Sequence, residues 1–193
     1  TDIARGKTEN PEQAQNAAKS LLELAGNGPE LRAKVIETLT DLQPPLKAGY
    51  ETLETLGKVV ALGKEIPESV RKALSDNFEN GSFPARQAAL KGMIALSENW
   101  TAADRKMILN NLSPDVVIAL NKLPDESPQK KALLGEMKEM FRSKKGPDGN
   151  NLSDSERESL VHGLVTLSGA KTVEDLNASF ADLGMKFERS PNR

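Results

Sequence analysis

Apolar residues recur along this chain at three- and four-residue spacing, in stretches of roughly 10–18 residues, a length usual for soluble helices, separated by proline, glycine and short polar side chains. That spacing gathers side chains on one face of a helix. No segment keeps the strict alternation of a half-buried strand. Asn10-Pro11 opens a first helix with Ala14, Ala17, Ala18, Leu21 and Leu22 inward, closed by Gly26. Gly28-Pro29 opens a second, with Leu31, Val35, Leu39 and Leu42 on one side and a stop at Pro44-Pro45. Pro45 opens a third, carrying Leu46, Tyr50, Leu53, Leu56 and Val60 toward Gly63. Pro67 opens a fourth to about Phe78, and after an Asn80-Gly81 turn Pro84 opens a fifth to about Leu96. Proline suits these positions because the first N–H groups of a helix have no internal partner.

The second half uses polar caps as well. Thr101 and Asp104 stand at capping-box spacing, as do Ser153 and Glu156, so that each side chain can satisfy the other's backbone N–H. Met107, Ile108, Leu109 and Leu112 follow the first box. Ser113-Pro114 opens a seventh helix, with Val116, Val117, Leu120 and Leu123 before Pro124. Ser127 as N-cap and Pro128 open an eighth, with Leu133, Leu134, Met137, Met140 and Phe141 on its apolar face and Lys130, Lys131, Lys138 and Arg142 filling the rest. Turn residues at 146–149 separate it from a ninth, whose stripe is Leu160, Val161, Leu164, Val165 and Leu167. Thr172 opens a tenth, through Leu176, Phe180 and Leu183 to Gly184. The pattern predicts an all-α fold of about ten short-to-medium helices in antiparallel hairpins, packed as a compact bundle or a short superhelical array. Residues 10–187 read as a single helical domain, with flexible segments at 1–9 and 188–193. Proline openers fall at irregular intervals and no repeat consensus is met.

The 145–156 stretch resembles an EF-hand in frame. With Lys145 first, Leu152 falls eighth and Glu156 twelfth, flanked by helical apolar spacing. Calcium needs several hard oxygen ligands, whereas positions one, three and five are Lys145, Pro147 and Gly149, and Asn150 stands where glycine is expected. A second fragment, 76–87, is weaker still and ends on Gln87. The frame implies at most a degenerate peptide-binding helix–loop–helix without calcium, and assigns no family.

Composition narrows the chemistry. The chain has 193 residues, formal net charge −2, no cysteine and one histidine. Cysteine-free chains have no disulfide framework, thiol nucleophile or thiolate metal site, and one histidine cannot build a zinc centre. His162 lies at the edge of an apolar stripe with no carboxylate or nucleophile signalled beside it, and reads as structural or surface. Gly6-Lys7-Thr8 lacks the strand and glycine of a phosphate loop. Glu136/Glu139, Glu156/Glu158 and Asp104/Asp115 read as solvated helix faces. No catalytic residue, cofactor or metal is expected, and a near-neutral charge gives no reason for a nucleic-acid partner. Apolar runs no longer than Val59-Val60-Ala61-Leu62 exclude membrane insertion by a helix. The chain opens on Thr1 without a signal core and is expected to be cut from a longer or processed polypeptide, cytoplasmic or delivered by a signal-peptide-independent secretion route.

The remaining expectation is a non-enzymatic protein–protein interaction module of a regulatory or bacterial secreted effector protein. A carboxylate- or Arg/Gln-based enzyme or regulator acting on a partner protein is the alternative. Aromatic residues and arginine are the usual anchors of interfaces, so Trp100, Arg105, Tyr50, Phe83 and Arg86 are the partner-binding candidates. Trp100 also stands where it can pack on Arg105 as a hydrophobic staple.

Overall fold

A computed structural model describes residues 11–41, 50–63 and 65–188, with side chains at 11–15, 41, 50 and 51 excepted. It is all-α: the described residues form ten α-helices and no strand. The expected openers at Asn10 and Pro45, the stop at Pro44-Pro45, and the segments 1–9 and 189–193 lie outside the described residues. The helical region read over 10–187 is organised as two compact units, Thr1–Asn99 and Trp100–Arg193.

The first unit contains α1 (Pro11–Gly26), α2 (Pro29–Asp41), α3 (Tyr50–Ala61), α4 (Glu68–Asn80) and α5 (Phe83–Ala95). Its core is Leu53, Leu56, Val59 and Val60 of α3 against Ala89, Leu90 and Met93 of α5, with Val70, Leu74 and Phe78 of α4 packed beside them. The α3–α5 crossing is set by two glycines. A Cβ added at Gly57 would lie 2.2 Å from the Gly92 carbonyl oxygen, and one at Gly92 would lie 2.5 Å from the Leu53 carbonyl oxygen. The backbones therefore touch where any side chain would hold them apart. Glu54 of α3 ties this crossing at its rim, 2.6 Å from Lys58 and 3.2 Å from Lys91 of α5. Burial pushes the Glu54 carboxyl up, and the two ammonium groups outweigh it, holding it below the usual carboxylate range.

The second unit contains α6 (Ala102–Asn110), α7 (Pro114–Leu120), α8 (Pro128–Ser143), α9 (Asp154–Leu167) and α10 (Val173–Ser179). Its core joins Val116, Val117 and Leu120 of α7, Leu133 and Met137 of α8, and Leu160, Leu164 and Leu167 of α9. Both expected capping boxes are formed, and Thr172 with Asp175 forms a third. The Ser127 hydroxyl, by contrast, makes no cap hydrogen bond; the Lys131 N–H donates to the Ser127 carbonyl instead, at 3.1 Å. The tenth helix also stops short of its expected length. Phe180 leaves helical geometry at φ −123°, a short 3₁₀ turn follows over Ala181–Leu183, and Gly184 closes it at φ +67°.

Lys130 departs furthest from its expected place on the polar side of α8. It is 2% exposed, on the same stripe as Leu133, Met137 and Met140, three, seven and ten residues on. Its aliphatic stem fills the core and its ammonium donates to Asp125 Oδ1 at 2.6 Å and the Leu123 carbonyl at 3.4 Å. The buried cation thus closes the α7–α8 connection.

The end of the unit folds back on α8. Lys138 donates to the Ser179 carbonyl at 2.7 Å and lies 5.3 Å from the centre of the Phe180 ring. Asp182 pairs with both Lys138 and Arg142. The Asn177 carboxamide pairs in both directions with the main chain of Phe187, accepting from its N–H at 2.8 Å and donating to its carbonyl at 3.0 Å.

Candidate functional site

The five residues picked out as interface anchors fall in different units and different environments. Trp100 is 7% exposed, which leaves its ring unavailable as an exposed anchor. Arg105 is committed within the second unit: its Nε donates to Glu136 at 2.8 Å and its Nη1 to Gln129 at 3.0 Å. It works as a clamp between α6 and α8. Tyr50 opens α3, and its side chain lies outside the described residues. Phe83, at the start of α5, is 63% exposed. Arg86, one turn on, donates to the Glu79 carbonyl at 3.4 Å and keeps its Nε buried without a hydrogen-bond partner among the described residues.

A concave surface lies elsewhere, beside the 144–153 loop. The α6–α8 clamp fixes one wall. Ala102, Lys106 and Leu109 form one stripe of α6, and Glu136, Met140 and Ser143 one stripe of α8. Helical spacing of this kind puts each set on a single face. Between them is a groove of about 310 Å³, floored by Leu109, Met140 and Pro147. Leu109, Met140, Gly146 and Pro147 also border a second cavity of about 330 Å³. The two therefore adjoin as one cleft. The second cavity is polar, with Asn110, Asn111, Asp148, Asn150, Asn151 and Glu156 around it.

The loop that makes this wall is held by its own backbone. Lys145 and Asn151 pair as an isolated antiparallel bridge. The Gly146 N–H donates to Asn150 at 2.8 Å, Gly149 to Gly146 at 2.9 Å, and Leu152 to Lys144 at 3.0 Å. Leu152 is buried beneath it. Lys144 takes the left-handed conformation, φ 58°, to end α8 and turn the chain into the loop. The backbone is thus closed on itself, and the described residues contain no group of three or more His, Cys, Asp or Glu side chains placed to hold a metal ion.

Charge is divided along the cleft. Asp148 and Glu156 are exposed at the polar end, and Lys106 and Lys145 at the apolar end. The Ser153 hydroxyl and backbone N–H, both donating to Glu156, hold its carboxyl below the usual range. Glu136 is bound to Arg105. His162 is exposed and does not line either cavity.

Sequence reading missed this site because its signal was negative. Asn110-Asn111 and Asn150-Asn151 lie forty residues apart, and the pattern does not say that the fold brings the two pairs to one cavity. No helix among the described residues is long and apolar enough to cross a membrane. No family model, curated protein or solved structure matches this chain.

Proposed function

We propose that this chain is a non-enzymatic protein-interaction module of a regulatory or bacterial secreted effector protein, and that its second unit carries the binding surface. The observation that carries this reading is the cleft between α6, α8 and the 144–153 loop, with an apolar floor at one end and four asparagines at the other. Preformed concave sites with a few convergent polar groups are the usual places where proteins take ligands. The electrostatics favour binding over proton transfer. A general acid at neutral pH needs a carboxyl raised toward 7, and Glu156 is moved the other way. A cysteine-free chain also keeps the same covalent structure in reducing and oxidising compartments, which suits a protein that acts in the cytoplasm or after signal-peptide-independent delivery.

The test is selection of a displayed random-peptide library against the intact chain, with Asn110→Arg as the control. Asn110 is exposed on the last turn of α6, so the variant keeps the fold, checked by circular dichroism. We expect enriched peptides that bind saturably to the native chain and lose affinity about tenfold, roughly 1.4 kcal/mol, with Asn110→Arg. Peptides that bind both chains equally would move the surface away from this cleft, and a selection that enriches nothing would count against the reading.

A further inference from the structure

The polar end of the cleft shows what kind of chain segment it suits. Asn110 and Asn151 are exposed and their carboxamides are uncommitted among the described residues. Asn111 donates to the Met107 carbonyl at 2.9 Å, which leaves its side-chain oxygen to accept. A carboxamide presents one acceptor and two donors, the complement of one peptide unit. The same molecule uses that match elsewhere, where Asn177 pairs with both the N–H and the carbonyl of Phe187. A helical ligand has paired its backbone everywhere but at its ends, whereas an extended one presents unpaired N–H and carbonyl groups along its length.

The apolar end and the charges give the rest. Leu109 and Met140 are 5% and 8% exposed, so they form a floor under the groove rather than projecting from it. Methionine there adapts to differently shaped side chains. Among the described residues neither Asp148 nor Glu156 has a cationic partner, and neither Lys106 nor Lys145 an acidic one. Charges left unpaired on the rim of a cleft select partners of complementary sign.

Resting on the interaction reading above, the geometry points to an extended peptide as the occupant of this cleft. Its apolar side chain sits on the Leu109–Met140–Pro147 floor, a cationic side chain lies toward Asp148 and Glu156, and an acidic one lies toward Lys106 and Lys145. The carboxamides of Asn110, Asn111 and Asn151 pair with its main chain, while that of Asn150 donates to Asp148 at 3.4 Å within the loop.

The experiment is the sequencing of peptides enriched from the random library by the intact chain and, in parallel, by Asp148→Lys. Asp148 is exposed on the loop, makes no ion pair among the described residues and accepts one hydrogen bond, from Asn150 at 3.4 Å, so the substitution reverses one rim charge, removes that loop contact and leaves the core alone. We expect native-selected peptides to carry an apolar residue with a basic residue on one side and an acidic residue on the other. The Asp148→Lys chain should lose the basic preference and bind a native-selected synthetic peptide about fivefold more weakly, the effect of one partly screened charge contact. Enriched peptides with no charge preference, or with apolar residues at helical i, i+3, i+4 spacing, would overturn this inference and leave the interaction reading standing. No enrichment by either chain would overturn both.

Discussion

At the scale of single residues, Lys130 and Lys144 hold positions that run against type. A buried ammonium is tolerated when hydrogen bonds replace its water, and Lys130 has Asp125, Leu123 and Asn121 as partners. Asp125 stays 81% exposed, and its hydrogen bond from Lys130 and the ammonium charge hold its carboxyl below the usual range. The pair is therefore asymmetric. Lys130→Met keeps the stem in the core and removes the donor, and should destabilise the chain by about 1–2 kcal/mol. Lys130→Ala also opens a cavity and should lose about 3 kcal/mol. Asp125→Asn keeps an acceptor oxygen but removes the charge that faces the buried ammonium, and should also destabilise the chain in the same urea titrations. Equal losses for Lys130→Met and Lys130→Ala would show that the stem does not pack. Lys144 holds a conformation that disfavours side chains by about 1–2 kcal/mol. Lys144→Gly should raise stability by about 1 kcal/mol, and a destabilised variant would mean that the loop depends on the Lys144 side chain. Sequence could show neither feature: a lysine on a helix reads as solvent-facing, and a left-handed residue without glycine leaves no compositional trace.

At the scale of elements, helix starts were legible and helix contacts were not. The caps at Thr101, Ser153 and Thr172 are local chemistry, settled within four residues, and the structure forms all three. The α3–α5 crossing depends on which glycines meet, and Gly57 and Gly92 are thirty-five residues apart. Helix propensity favours alanine over glycine by about 1 kcal/mol, so propensity alone has Gly57→Ala stabilising. The 2.2 Å approach to the Gly92 backbone reverses the sign, because a backbone cannot move aside as a flexible side-chain tip does. We expect Gly57→Ala to destabilise by about 3 kcal/mol or more, within the overpacking range and beyond it. Gly135→Ala in α8, where a Cβ meets nothing within 4 Å, should stabilise by about 1 kcal/mol. Chemical denaturation of the two variants separates packing from propensity, and a stabilised Gly57→Ala would refute the crossing. The fold-back of residues 177–187 onto α8 is electrostatic at its rim. Burial pushes the Asp182 carboxyl up, and Lys138 and Arg142 outweigh it and hold it below the usual carboxylate range. A carboxyl depressed in the folded state contributes stability above its unfolded pKa and loses it as pH falls through the folded one. Amide hydrogen exchange at Gly184 and Phe187 should therefore be pH-independent in protection from neutrality down to about 4, then lose protection below it while α9 stays protected. Uniform protection to pH 2.5, or simultaneous loss throughout the unit, would remove the carboxylate from this role.

At the scale of the whole molecule, the all-α class was readable and its division into two units was not. Domain boundaries announce themselves in sequence through flexible, proline- or glycine-rich linkers, but here the boundary falls between Asn99 and Trp100, in a Ser97–Asn99 turn followed directly by the Thr101 cap. The helical rhythm runs through it without a change in composition. The cleft was hidden for a related reason, since its walls come from 102–110, 136–143 and 145–156, and only packing brings them together. The chain's single tryptophan lies in the second unit, which makes the division testable with one spectrometer. Tryptophan fluorescence should follow the second unit alone, while far-ultraviolet circular dichroism follows helices of both. Two units of fewer than 100 residues each bury modest cores, and their free energies of unfolding have no reason to coincide. In urea we expect the dichroism transition to be broader than the fluorescence transition, and a fragment spanning 100–188 to reproduce the fluorescence midpoint of the full chain. Coincident transitions together with an unfolded 100–188 fragment would mean that the chain folds as one cooperative body. A folded fragment that also retains the selected peptide would place both the stability and the binding surface of this unit within those 89 residues.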